Sequence, residues 1–342
     1  MSVSPTKMAE EIREIPEAVE RLLTHGQDAV QTAATAATHL DPRLHLSVAR
    51  GSSDHVCTFL KYVSELLLRR PMASVGPSVK SIYGTDLLSQ GALCLAVSQS
   101  GRSPDIVGMT RSLRAGGGLT VAITNEVASP LAEAAEITLP LHAGPEVSVA
   151  ATKTFVTSMV AGLWLLAEIK KCCDLNNAIR ALPDLLAQAI DCDWSAAAVA
   201  ITGQSAYVIG RGPSWAVANE AALKFKETCL IHAESYSSAE LLHGPVSIVD
   251  AGFPVIAFAA ADAAETSVVD VADTLAKRGA SVFVTSAQAG TAQVLPHIRT
   301  AHWLTDPIAT IVSFYAMVEA VARARGIDPD RPRHLQKVTE TV

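Results

Sequence analysis

Short, mostly apolar runs alternate with amphipathic stretches along the chain. Leu44 to Ala49, Met72 to Val75, Ala92 to Val97, Leu119 to Thr124 and Ile137 to Leu139 read as strands, largely buried. Ser53 to Arg69 and Ile106 to Ala115 place apolar residues at helical spacing, Asp86 to Leu88 reads as a turn or short helix, and Thr152 to Lys171 as a long closing helix. Ahead of them, residues 8–38 repeat the helical spacing through Met8, Ile12, Ile15, Val19, Leu22 and Leu23, with Pro16 opening a second helix. Strand and helix in alternation predict a doubly wound parallel sheet.

The pattern then returns. Tyr207 to Gly210 is again a strand, followed by Arg211-Gly212-Pro213-Ser214 where the first block has Arg50-Gly51-Ser52-Ser53. Pro254 to Ala259 matches Ala92 to Val97, Ser281 to Thr285 matches Leu119 to Thr124, and Pro307 to Arg325 matches Thr152 to Lys171. The spacing predicts two tandem α/β domains of three-layer αβα type, related by internal duplication and joined by a largely helical linker at 174–204.

One polar stretch stands out. Ser98-Gln99-Ser100-Gly101-Arg102-Ser103 sits where a strand hands over to a helix N-terminus, whose backbone N–H groups and partial positive charge suit a phosphate. At the matching place the second copy reads Ala259-Ala260-Ala261-Asp262, so only the first copy is equipped to hold an anion in this way.

Composition narrows the class. Of the 342 residues 49% are hydrophobic and 18% charged, which excludes a disordered chain. A net charge of −7 argues against a nucleic-acid surface, which needs a basic stripe. Cys57, Cys94, Cys172, Cys173, Cys192 and Cys229 form no CxxC pair and no zinc spacing; most are expected in the core, in a reducing cytoplasm. Met1 to Arg21 is too charged for a signal peptide, and no apolar run reaches the roughly 18 residues of a membrane span, so no membrane partner is expected. No metal or cofactor is signalled.

Four segments offer chemistry. On the helix after the second Gly turn, Glu220, Lys224 and Glu227 share one face. They are either a solvated salt-bridge stripe or a carboxylate–lysine pair able to move a proton on carbon. Ser237 and Glu240 spell a capping box, with one helical turn ending at His243 before Gly244-Pro245; the histidine is either a cap or a proton carrier. Gly144 to Phe155 is a loop entering a helix, with polar groups suited to capping. Asp328 to Lys337 is either a free tail or one that folds over a site and delivers Lys337, an amine able to form a Schiff base.

Taken in order, Ser98 to Gly101, Glu146 to Phe155, Leu223 to Glu227, Ala239 to Pro245 and Arg331 to Lys337 resemble the sugar isomerase (SIS) family. The resemblance is to the isomerase half of glucosamine-6-phosphate synthase and to SIS-type glucosamine-6-phosphate deaminases. It implies a 1–40 helical segment, SIS domains at 41–173 and 205–326 around the 174–204 linker, and a 327–342 tail closing the site. By resemblance Ser98, Gln99, Ser100 and Ser103 bind phosphate, Ser52 and Ser53 lie beside the sugar, and Val149 and Ala150 touch it through backbone. Glu227 matches the base that moves a proton between C1 and C2, Lys224 its neighbour, and His243 the ring-opening histidine. Lys337 matches the tail lysine that meets the substrate carbonyl. A homodimer is implied, with His243 serving the neighbouring subunit's site. Arg102 stands where the synthase is acidic, and Ser52 and Ser103 where it has threonines. Lys7 to Leu23 already matches the module's first helix, leaving no room for a glutaminase domain, so the expected direction is deamination of glucosamine 6-phosphate to fructose 6-phosphate and ammonia. Another phosphosugar isomerase, a fructosamine or galactosamine 6-phosphate deglycase or deaminase, and a non-catalytic sugar-phosphate sensor are the alternatives.

Overall fold

A computed structural model describes residues 5–337. The chain forms two compact units. One contains Glu17–Glu146 and Lys153–Arg180 together with Gln336 and Lys337; the other contains residues 5–16, Val147–Thr152 and Ala181–Leu335.

The first unit is built on β1 (His45–Val48), β2 (Met72–Ser74), β3 (Leu93–Val97), β4 (Leu119–Thr124) and β5 (Ile137–Pro140), all parallel and ordered β2-β1-β3-β4-β5. Side chains alternate across a strand, so Leu46, Val48, Cys94, Ala96 and Ala122 share one face and pack with Ile106, Met109 and Leu113 of the Pro104–Ala115 helix. Leu95, Val97, Val121 and Ile123 point the other way and are equally buried, which is why these strands read as unbroken apolar runs. The Ser52–Val63 and Lys153–Lys170 helices pack on each other so closely that a Cβ on Gly162 would lie 2.5 Å from a Leu60 methyl.

The second unit holds β6 (Ser205–Gly210), β7 (His232–Ser237), β8 (Pro254–Ala257), β9 (Ser281–Val284) and β10 (Gln293–Val294), also parallel, with order β7-β6-β8-β9-β10. Numbered within itself, each sheet runs 2-1-3-4-5, so the predicted duplication is present in the topology. The core again uses one parity, Tyr207, Ile209, Val255, Ala257, Val282 and Val284 against Val268, Ala272 and Leu275 of the Glu265–Lys277 helix.

The matched Gly turns repeat to within a few degrees: Gly51 has φ 54° and ψ −134°, Gly212 φ 59° and ψ −137°. Nothing lies within 4 Å of a Cβ built on either, so glycine is required there for backbone conformation and not for space. Residues 8–38 form three helices, Lys7–Arg13, Ile15–His25 and Gln27–Leu40, and the 174–204 region contains Leu182–Ile190 and Ser195–Ala200.

Four expectations change. Asp86 to Leu88 has no helix; the local turn of helix is Ser78–Ser81. Ser237 is the last residue of β7 and its side chain makes no capping bond, so the capping box is not formed. The Asp306–Ala324 helix does reach membrane-spanning length and apolarity, but it is a core helix with 78% of that stretch buried. Of the six cysteines only Cys57, Cys94 and Cys229 are buried, whereas Cys173 is exposed.

Candidate functional site

In a 2-1-3-4-5 sheet, the order in which successive strands are added reverses between the first and third strands, and ligands collect beyond their carboxyl ends. In the first unit that point lies after β1 and β3, which lead into Gly51-Ser52-Ser53 and Ser98 to Ser103. The Ser98 hydroxyl accepts the Gly101 N–H (3.2 Å), and the Gln99 carbonyl accepts the Asn125 N–H (3.2 Å) and the Thr124 hydroxyl (3.3 Å). Gly101 has φ +62°, and a Cβ there would lie 2.1 Å from Ser129 Oγ, so glycine is demanded by both backbone and space. Ser103 is the N-cap residue of Pro104–Ala115 and its side chain makes no capping bond. Buried Asp105 accepts from Arg50 Nε (3.0 Å) and Nη2 (3.0 Å), tying the residue before the Gly51 turn to the first turn of the helix that follows the serine loop.

The matching point of the second unit is filled from within. Arg299 donates to the Ala259 carbonyl (2.8 Å), the Thr285 carbonyl (3.1 Å), Asp306 (3.1 Å) and Glu265. Asp306 also accepts the N–H groups of Ala261 (2.8 Å) and Thr300 (2.8 Å). Burial raises the Asp262 carboxyl above its ordinary value, and Glu265 and Asp306 push the same way. Two carboxylates around one guanidinium make this crevice hostile to an anion.

The second unit carries instead the Pro213–Cys229 helix, opened by Pro213 in its first turn. Its stripe is not solvated. Lys224 Nζ lies 3.1 Å from Glu220 and 2.6 Å from Glu227, with side-chain exposures of 1% for the lysine, 0% for Glu220 and 19% for Glu227. Tyr315 donates to Glu220 (3.1 Å). Burial alone would lower the Lys224 pKa, but Glu220 and Glu227 outweigh it and the net shift is upward, so Lys224 stays a cation through the physiological range. Glu227 is the member of the cluster with an edge open to solvent.

His243 is exposed, just past the Ser238–Leu241 turn of helix, and its N–H bonds the Glu240 carbonyl (3.0 Å). Gly244 follows with φ 155°. Val149 and Ala150 lie in the Val147–Thr152 loop of the same unit. Glu11, which sequence reasoning did not single out, is buried and accepts the N–H groups of Val147 and Ser148.

Lys337 belongs to the first unit, where it lies 3.2 Å from Glu146. Glu146 also accepts the Thr154 N–H (3.0 Å) and hydroxyl (2.6 Å) at the start of the Lys153–Lys170 helix. Residues 338–342 of the expected closing tail lie outside the described residues. The structure thus gathers Ser52, Ser53 and the serine loop in one unit, and Lys224 with Glu227 in the other.

Two parallel α/β units of like topology, with a serine-rich strand-to-helix loop in the first and a buried carboxylate–lysine cluster in the second, form the pattern of a tandem sugar-isomerase-type protein. The SIS domain family matches residues 45–168 and 202–323, and the chain belongs to that family. It is 33% identical to the glutamine–fructose-6-phosphate aminotransferase (isomerizing) of Pyrobaculum aerophilum over 99% of this chain, and spans 58% of that relative's length. A candidate phosphosugar isomerase from Silicibacter pomeroyi is 58% identical with a TM-score of 0.93, covering 95% of this chain and all (100%) of that one. The glucosamine-6-phosphate deaminase of Thermotoga maritima shares the fold, with a TM-score of 0.79 at 20% identity over 98% of this chain and 100% of its own.

Proposed function

We propose that this chain is an enzyme acting on phosphosugars, and specifically that it converts glucosamine 6-phosphate and water to fructose 6-phosphate and ammonia. The observation that carries the reading is the Glu220–Lys224–Glu227 cluster, a partly open carboxylate held 2.6 Å from a buried cation. A fixed carboxylate beside a permanent positive charge suits proton transfer between adjacent carbons through an anionic transition state.

In this reading Ser98, Gln99, Ser100 and Ser103 hold the phosphate, while Ser52, Ser53 and the backbone of Val149 and Ala150 hold the sugar. His243 assists ring opening. Glu227 takes the proton from C2 and returns it at C1, so the 2-amino aldose becomes an enolamine and then a C2 ketimine. Water adds to the ketimine carbon and ammonia departs. In the variant route the Lys337 amine displaces ammonia first, and water then releases the lysine. The scheme uses only side chains, backbone and water.

Two facts support the substrate class: the matched aminotransferases carry fructose 6-phosphate in their name, and the 58% identical structure is described as a candidate phosphosugar isomerase. Chemistry favours the deaminating direction. Ammonia near neutral pH is mostly ammonium, a poor nucleophile, whereas water is abundant. Exposed Leu242 and Ile248 flank His243, which supports a second copy covering that segment in a homodimer.

The test is ammonia and fructose 6-phosphate production from glucosamine 6-phosphate by the full chain. Normal turnover in Glu227→Gln removes the base assignment. Conversion of galactosamine 6-phosphate or a fructosamine 6-phosphate instead overturns the substrate, and phosphosugar binding without turnover of any of them points to a sensor.

A further inference from the structure

The Val147–Thr152 loop has no regular backbone pairing, so its N–H groups need acceptors from elsewhere. Glu11 supplies them. Its carboxylate accepts the Val147 N–H through Oε1 and the Ser148 N–H through both oxygens, at 3.2 and 3.3 Å. The residue is 4% exposed, and a carboxylate is buried at large cost unless it is fully hydrogen-bonded. Ser148, itself buried, turns its hydroxyl to the Ala150 carbonyl at 3.5 Å. The two residues read as sugar contacts, Val149 and Ala150, therefore follow directly on two N–H groups held by one buried charge.

The helix that carries Glu11 is anchored at its start. Thr6 caps Lys7–Arg13 by accepting the Ala9 N–H (3.0 Å) and donates to Glu319 (2.8 Å) on the Asp306–Ala324 core helix. Asp330 accepts the N–H groups of Lys7 (2.7 Å) and Met8 (2.8 Å). All of these residues belong to the second unit. A continuous chain of hydrogen bonds runs from the core helix through Thr6 and the short helix to Glu11 and on to the loop.

We propose that the Lys7–Arg13 helix is a brace for the sugar-contact loop and that Glu11 is its positioning residue, setting affinity for the sugar portion of the ligand and not for its phosphate. This rests on the phosphosugar reading. The phosphate loop, Ser98 to Ser103, belongs to the other unit and makes none of these contacts.

The experiment is calorimetric binding of fructose 6-phosphate, glucosamine 6-phosphate and inorganic phosphate to the full chain, wild type against Glu11→Ala and Glu11→Asp. Hydrogen bonds to a charged group predict that Glu11→Ala weakens both sugar phosphates roughly tenfold to a hundredfold. Inorganic phosphate should stay within about twofold, because the Glu11 bonds to Val147 and Ser148 support the loop read as touching the sugar, and Glu11→Asp should recover part of the sugar-phosphate loss. Unchanged sugar-phosphate binding, or equal loss of sugar phosphate and phosphate, overturns the brace. If Glu11→Ala does not fold, Thr6→Ala reads the same brace from its other end: selective loss of sugar-phosphate affinity supports it, and no loss or equal loss overturns it. A wild-type chain that binds neither sugar phosphate overturns the phosphosugar reading and the brace with it, whereas wild-type binding with an indifferent Glu11→Ala removes the brace alone.

Discussion

Replacing Lys224 by methionine isolates the buried charge cluster. The side chain keeps its length, and the cation between Glu220 and Glu227 is lost. Glu227 has an edge in solvent and tolerates the loss, but Glu220 is fully buried. Removing one partner of a buried ion pair costs about 3–5 kcal/mol, and here the Glu220 charge would keep its Tyr315 hydrogen bond but lose its cation. For a unit of this size that is a drop in Tm of roughly 6–20 °C. The pH dependence identifies the cause. In the variant, the buried Glu220 carboxyl without its cation is easier to accommodate protonated than charged. A buried carboxyl destabilises the fold as it ionises, so the deficit relative to wild type should be smaller at about pH 5 than at about pH 8. Thermal unfolding followed by circular dichroism at both pH values measures it. Lys224→Met/Glu220→Gln should recover much of the loss and its pH dependence. A Lys224→Met protein within about 2 °C of wild type at pH 8 would refute the reasoning, since it would mean the cluster is hydrated in solution.

Gly101→Ala places a methyl 2.1 Å from Ser129 Oγ at a left-handed backbone, so it should destabilise by at least about 1–2 kcal/mol and abolish inorganic phosphate binding; calorimetry showing wild-type affinity would contradict the loop assignment. His45 is buried beside Ser64 (2.8 Å), and burial with the nearby Arg70 lowers its pKa to about 4. A base depressed in the folded state contributes stability above its unfolded pKa of about 6.5 that is lost as pH falls toward the folded value, on the order of 3 kcal/mol here. Imidazole resonances of His45 should therefore stay neutral down to about pH 5, and a midpoint near 6.5 would disprove the burial argument. Cys173 should react first with a maleimide, while Cys229, whose thiol burial pushes up to about 11, should be protected until unfolding, a difference readable by mass spectrometry.

The strands most legible in the hydrophobic pattern are those buried on both faces, such as β3 and β4, whose side chains are apolar apart from the small buried Thr120 and Thr124. β7 has no signature in the hydrophobic pattern because it is an edge strand, and His232-Ala-Glu-Ser-Tyr-Ser237 keeps several polar side chains half exposed. The same segment produced the false capping box, since Ser237 and Glu240 have the right spacing in sequence while the serine is held extended by pairing to Gly210. Arg299 and Glu11 were illegible for another reason. Arg299 bonds a carbonyl 40 positions away and Glu11 an N–H 136 positions away, and neither partner has a sequence signature.

By itself the sequence determined the doubled strand–helix order, the two Gly turns, the serine loop and the helical spacing of Glu220, Lys224 and Glu227, because each is a local property of periodicity, backbone conformation or capping. Only the tertiary structure decided that the charged stripe is buried, that an internal guanidinium closes the second crevice, and that a short N-terminal helix holds the loop of Val149 and Ala150. Those depend on which groups lose water together, and desolvation is set by packing between residues far apart in the chain.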